Sequence, residues 1–156
     1  MQKDKEQIRI IATNRKARHL YHIVDTYEAG IALVGTEVKS LRQGKASFKD
    51  SYASVKKGEV FLHQMHIGHY DQASRFNHDP TRLRKLLLHK NEIRRLVGKT
   101  VERGFTLVPL RIYFKGKVVK VELALAVGKK LFDRRKSIKD RELQREMRRA
   151  LKERQR

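Results

Sequence analysis

The chain of 156 residues contains no cysteine, which removes disulfides, thiolate zinc sites and cysteine nucleophiles together. No apolar run approaches the roughly eighteen residues a bilayer span needs, and no lipidation motif occurs. The opening MQKDKEQIRI has no apolar centre of a secretory signal, so the expected compartment is the cytosol. Catalytic signatures are also missing: there is no Gly-x-Ser-x-Gly elbow, no phosphate-cradling glycine loop and no His-Glu-x-x-His. No cofactor is expected. Acidic residues are scarce, 17 Asp and Glu against 38 Lys and Arg, for a net charge of +21. A protein so charged repels itself unless a polyanion neutralises it. Nucleic acid is the leading partner and an anionic membrane surface the competing one.

What is present divides into a β-rich body and a basic helical end. Residues 119–125 alternate, with Val119, Val121, Leu123 and Leu125 on one face, and pair with 110–114 across Lys115-Gly116-Lys117. A second hairpin, 51–55 with 60–67, turns at Lys57-Gly58, and segments 21–27 and 30–34 read as further strands. Two short helices interrupt them. One covers 36–42 with Thr36 as its cap and a stop at Gly44; the other carries Ile93, Leu96 and Val97 ahead of Gly98. Short antiparallel strands without a βαβ rhythm predict a mainly β fold, a Greek-key barrel of the oligonucleotide-binding type.

The barrel is expected over 1–128 and a basic tail over 129–156, which holds thirteen Lys or Arg against five Asp or Glu. Within the tail, Ser137 and Asp140 resemble a capping pair, and Leu143, Met147, Ala150 and Leu151 recur at helical spacing. A lone helix with so thin a stripe is marginal in water, so ordering on contact with a partner is expected.

ATNRKARHLYHI, residues 12–23, interleaves Arg15, Lys16, Arg18, His19, Tyr21 and His22. Cations with planar rings suit RNA, where phosphates need charge and unpaired bases need stacking surfaces. A solvated strand entry with a buried tyrosine is the competing reading. DPTRLRKLLLHK, residues 79–90, sets Arg82 and Lys85 beside a leucine run that includes Leu87. His63, His66 and His69 invite a metal, but along a strand His63 and His66 point to opposite faces and no acidic ligand lies between them. A ribonuclease could be assembled from His19 or His22 with Glu28, although no spacing singles out such a pair.

Four stretches, NRKARHLYHI, EAGIALVGTEVKSLRQGKAS, DPTRLRKLLLH and GKKLFDRR, stand in that order. Together they resemble the small protein B family, the tmRNA-binding (SsrA-binding) proteins of bacterial trans-translation. The resemblance runs from about residue 10 to the end of the tail. It implies an oligonucleotide-binding-type barrel and a non-enzymatic adaptor. Such an adaptor binds the tRNA-like domain of tmRNA and delivers it to stalled 70S ribosomes, with alanyl-tRNA synthetase and elongation factor Tu acting on the same RNA complex.

By the same resemblance, Asn14, Glu28 and Leu87 fall on the tmRNA-contacting surface, with His19 as a stacking or hydrogen-bonding contact. Arg15, Lys16, Arg18, Arg82 and Lys85 would be phosphate contacts, and Lys129 and Lys130 would hold RNA at the root of the tail. Phe132, Asp133, Arg134 and Arg135, followed by the stripe of Leu143, Met147 and Leu151, would enter the decoding centre and the empty message channel of the small subunit. Arg134 stands where the family usually has lysine, which keeps the charge and alters the geometry. A general ribosomal or single-strand-binding barrel is the alternative.

Overall fold

The computed structural model describes residues 7–73, 75–102 and 104–155, with the side chains at 130–134 and 137 outside the description. In chain order the elements are β1 (Ile8–Thr13), α1 (Arg15–Leu20), β2 (Tyr21–Ile31), α2 (Gly35–Arg42), β3 (Ala46–Ser47), β4 (Tyr52–Lys56), β5 (Glu59–His63) and β6 (His66–Ile67). A 3-10 turn at Asp71–Ala73 precedes β7 (Arg84–Leu87), α3 (Lys90–Thr100), β8 (Phe105–Lys115), β9 (Val118–Gly128) and α4 (Lys129–Arg154).

Among the described residues every strand pairing is antiparallel. From β8 the neighbours run β4, β5, β7, β2, β9 and back to β8, so these strands close on themselves, with β1 on the remaining stretch of β8. The mainly β architecture with short helices agrees with the sequence expectation. Closure matters because it removes the free edges that an open sheet leaves exposed.

The core follows from period-two alternation. Val121, Leu123 and Leu125 from β9 meet Leu107 and Ile112 from β8, Val60 and Leu62 from β5, and Leu86 from β7, all buried in one cluster. A smaller cluster forms on the outside of the sheet, where Ala17 of α1 covers Val108, Leu110, Ala124 and Ala126. These alanines explain why a helix can sit there: they let its backbone approach the strands closely.

Both expected hairpins form. Val55 faces Val60 and Lys56 faces Glu59 across a turn in which Lys57 and Gly58 have φ of 52° and 72°. Two left-handed residues in a two-residue loop match the right-handed twist of the strands.

Several expectations need correction. In place of separate strands at 21–27 and 30–34 there is one strand, β2, which runs unbroken through Glu28 to Gly30 in register with β9 and ends at Ile31, leaving 32–34 outside it. The segment 60–67 is two strands, broken where Gln64 takes φ 59°. Thr36 does not cap α2: the helix begins at Gly35, the Glu37 carboxylate accepts from the Val34 amide at 3.0 Å, and Thr36 bonds His78 instead. Gly98 lies inside α3, which continues to Thr100. Residues 15–20 form a helix rather than a strand entry, with Asn14 as its cap. Ser137 lies within α4, not at its start, since the helix leaves β9 directly at Lys129.

Candidate nucleic-acid interface

The first site is the outer face of the sheet. Register aligns Ile10 with Tyr113, Tyr113 with Lys120, Lys120 with Gly30, and Gly30 with Leu87, a lateral row across β1, β8, β9, β2 and β7. In a pleated sheet residues in such a row share a face. Ile10 and Leu87 are both about half exposed, at 53% and 52%. Leu87 has this freedom because Leu86 beside it takes the core position. Gly30 lies against it, and a Cβ there would come within 3.2 Å of the Leu87 Cβ, a tight contact that Leu87 must give way to by a few tenths of an ångström.

The adjacent row holds Glu28, Glu122 and Arg111. Tyr113 Oη donates to Glu28 Oε2 at 2.5 Å and Lys115 Nζ to Oε1 at 3.1 Å. The Tyr113 hydrogen bond is the main reason the Glu28 carboxyl lies below its ordinary range; desolvation opposes it, and Lys115 adds to the lowering. The same contact works the other way on tyrosine: burial, then the Glu28 hydrogen bond, push the Tyr113 phenol well up. Arg111 pairs with Glu122 and lies 4.9 Å from the Tyr113 ring centre. Glu28 is therefore an ionised acceptor held in a fixed orientation on a basic surface. Such a group accepts from base amino groups and repels phosphate.

The second site is the other end of β2. Pro109 has no amide hydrogen, and the β8 register slips between Pro109 and Arg111. The carbonyls around this bulge are taken by Asn14, whose backbone amide donates to Leu110 O at 2.6 Å and whose Nδ2 donates to Pro109 O at 2.9 Å. Asn14 Oδ1 accepts from Ala17 N at 3.3 Å. The amide thus fixes α1 on the sheet and retains one N–H and one lone pair for a ligand. Arg15, Lys16, Arg18 and His19 are exposed on α1, and Tyr21 is half-buried beneath it.

The structure does not bring these sites together. Tyr21 and Glu28 lie seven positions apart along β2, roughly 23 Å at about 3.3 Å per residue. The nuclease pairing of His19 or His22 with Glu28 fails for that reason, since proton transfer needs groups within hydrogen-bond reach. The histidines of the metal reading also diverge. His63 Nε2 bonds Ser54 Oγ at 2.7 Å and its ring stacks on Tyr52, while His69 meets His78 edge-on. Among the described residues no cluster of three or more potential ligands forms.

Arg82, expected as a phosphate contact, is also engaged within the fold. Its guanidinium donates to Glu37 Oε1 at 2.6 Å and to Ala32 O at 3.2 Å. Glu37 is fully buried with Arg84, which binds its other oxygen and also donates to Met65 O at 2.5 Å and Pro80 O at 3.1 Å. Burial pushes the Glu37 carboxyl up, but the Val34 amide, Arg82 and Arg84 together outweigh it and leave it below the ordinary range. Arg82 is a positioning residue that ties α2 to the start of β7. Lys85 is exposed and pairs with Glu59 at 2.8 Å.

Residues 11–153 match the family described as "SmpB protein". The chain belongs to the SmpB family. Among its relatives is an SsrA-binding protein of Halothermothrix orenii, 58% identical over 151 residues and 97% of both chains. Another, from Symbiobacterium thermophilum, is 60% identical over 153 residues, covering 97% of this chain and 96% of that one. A solved structure described as "tmRNA-SmpB: a journey to the center of the bacterial ribosome" has 57% identity and a TM-score of 0.64. That match covers 76% of this chain and 83% of the other.

In this SmpB family member the tail is a continuous helix. Lys129 at its first turn is half-buried, and Arg135, Leu143, Met147 and Leu151 are exposed along it. The side chains of Lys130, Phe132, Asp133 and Arg134 lie outside the described residues. No described helix is long and apolar enough to cross a membrane. Sequence reasoning missed Arg111, Tyr113, Lys115, Lys120 and Glu122 as parts of the Glu28 surface. The alternation that gave the inward face of the 110–125 hairpin also names its outward face, so the signal was there. The pairing of Arg82 with Glu37, 45 residues apart, carried none.

Proposed function

We propose that this SmpB-family chain is an RNA-binding adaptor of ribosome rescue. The barrel, residues 1–128, binds the tRNA-like domain of tmRNA and stands in for the part of a tRNA that this RNA lacks. The tail, residues 129–156, enters the decoding centre and message channel of the small subunit of a stalled 70S ribosome. Translation then resumes on the reading frame of the tmRNA. Alanyl-tRNA synthetase and elongation factor Tu act on the RNA of the complex, so this chain meets them indirectly. The protein works in the cytoplasm and carries no catalytic centre of its own.

The observation that carries this reading is the outer sheet face, where Glu28, fixed by Tyr113 and Lys115, lies one row from exposed Leu87. An oriented acceptor and an apolar contact on a chain of net charge +21 suit a structured RNA with accessible bases. Arg15, Lys16, Arg18 and Lys85 supply affinity through phosphates. The tail helix, basic and with its apolar stripe uncovered, suits a narrow RNA-walled channel.

The test is to purify the protein from its cells with bound RNA and sequence that RNA. The expected result is strong enrichment of tmRNA. Enrichment of ribosomal RNA alone, or of many RNAs equally, would instead make it a general ribosomal or single-strand-binding protein.

A further inference from the structure

Beside α1 lies an open cleft of about 810 Å³ whose wall includes Arg15, Lys16 and Leu20 from the helix, Lys49 and Asp50 from the segment before β4, and Tyr52 from the first position of β4. Tyr52 is 46% exposed, unusual for a ring at the start of a barrel strand, and it is held rather than loose. It faces His63 in register across the β4–β5 hairpin, and the rings stack at 4.6 Å with planes 4° apart. Ser54 Oγ fixes His63 in turn at 2.7 Å. The loop leading to Tyr52 is also pinned: Ser51 Oγ donates to Phe48 O at 2.6 Å, Lys49 N donates to Ser47 Oγ at 3.3 Å, and Asp50 holds φ 59°.

A ring with one face on a fixed partner and the edge of a cleft beside it is a stacking platform whose ordering cost is met before any ligand arrives. Leu20, 60% exposed, adds an apolar wall. Three cations, Arg15, Lys16 and Lys49, line the same cleft with a single carboxylate, Asp50. A planar apolar surface ringed by positive charge matches one chemical unit, a base with its phosphates.

We propose that this cleft receives one unpaired nucleotide of the bound RNA, its base stacked on Tyr52 and its flanking phosphates on Arg15, Lys16 and Lys49. The site rests on the RNA-adaptor reading above and is separate from the Glu28 surface. Because stacking reads any base face, it adds affinity and anchors a bulged or loop nucleotide without selecting its identity.

The test uses the full chain and the transcribed tRNA-like domain of tmRNA, with affinity from filter binding and base accessibility from chemical probing. Tyr52→Phe keeps the ring and should bind within about two-fold of the unmodified protein. Tyr52→Leu should lose roughly 5- to 100-fold and should expose a nucleotide that the unmodified protein protects, with its melting temperature checked alongside. His63→Ala, which removes the ring beneath, should weaken binding in the same direction and expose the same nucleotide. If the unmodified protein fails to bind this RNA, the adaptor reading falls. If it binds and a folded Tyr52→Leu keeps both affinity and footprint, the cleft proposal alone is overturned.

Discussion

Tyr113 and Glu28, 85 residues apart in sequence, share a hydrogen bond of 2.5 Å on the outer face of the barrel. This contact keeps a carboxylate ionised and aimed on a surface otherwise dominated by cations. Its folded-state pKa is depressed, so its contribution to stability is present above the unfolded value of about 4.3 and is lost as pH falls through the folded value. Tyr113→Phe should move the Glu28 titration back up toward the ordinary range in a carboxyl NMR titration. Glu28→Gln should cost roughly 1–3 kcal/mol of RNA affinity if the group contacts a base, with little loss of thermal stability.

Leu87 offers the complementary experiment. It is half exposed and pairs with Gly30, so Leu87→Ser removes a surface contact without opening the core. Stability should change by less than about 0.5 kcal/mol, while RNA affinity falls measurably. Gly30→Ala, whose Cβ would press on Leu87 at 3.2 Å, should shift Leu87 slightly and weaken RNA binding modestly. Parallel melting and filter-binding curves separate the two effects.

Glu37 has the opposite character, buried and remote from solvent. Glu37→Gln leaves the Arg84 guanidinium buried without its counter-charge, and should destabilise the fold by about 3–5 kcal/mol. The double variant Glu37→Met with Arg84→Met should recover part of that loss, since it removes the stranded charge. Stability should also decline as pH falls through the depressed Glu37 value. Denaturant titrations at several pH values check all three expectations.

The Lys57-Gly58 turn allows a gain. Lys57 holds φ 52°, which costs a lysine more than an asparagine. Lys57→Asn should stabilise the protein by a few tenths of a kcal/mol, read as a higher melting temperature with unchanged RNA affinity.

The contrast among these sites explains what could be read from sequence. Alternation in 119–125 and the Lys57-Gly58 turn act locally, so both hairpins were legible. The Asn14 cap of α1 is also written locally, in Asn-Arg-Lys-Ala, but the cations and rings of the same stretch carry the stronger, competing signal for binding. Thr36 misleads because the actual helix start uses Glu37 reaching back to Val34, with Glu37 fixed by buried Arg84 and half-buried Arg82. β2 read as two strands because Glu28-Ala29-Gly30 interrupts its apolar pattern, whereas pairing on both sides holds it as one. Glu28 and Leu87 were named through family resemblance. That they lie in adjacent rows of one face, and Asn14 at the far end, came only from the register.

We propose that labour divides at Gly128, where β9 ends against Tyr21 and α4 begins. The most direct measurement stops the chain after Gly128 and follows two quantities: affinity for the tRNA-like domain, and peptide tagging on ribosomes stalled on a message without a stop codon. The expected result is RNA affinity within a few-fold of the full chain and tagging abolished. Loss of RNA binding by a truncated protein that still melts as a folded barrel would contradict it.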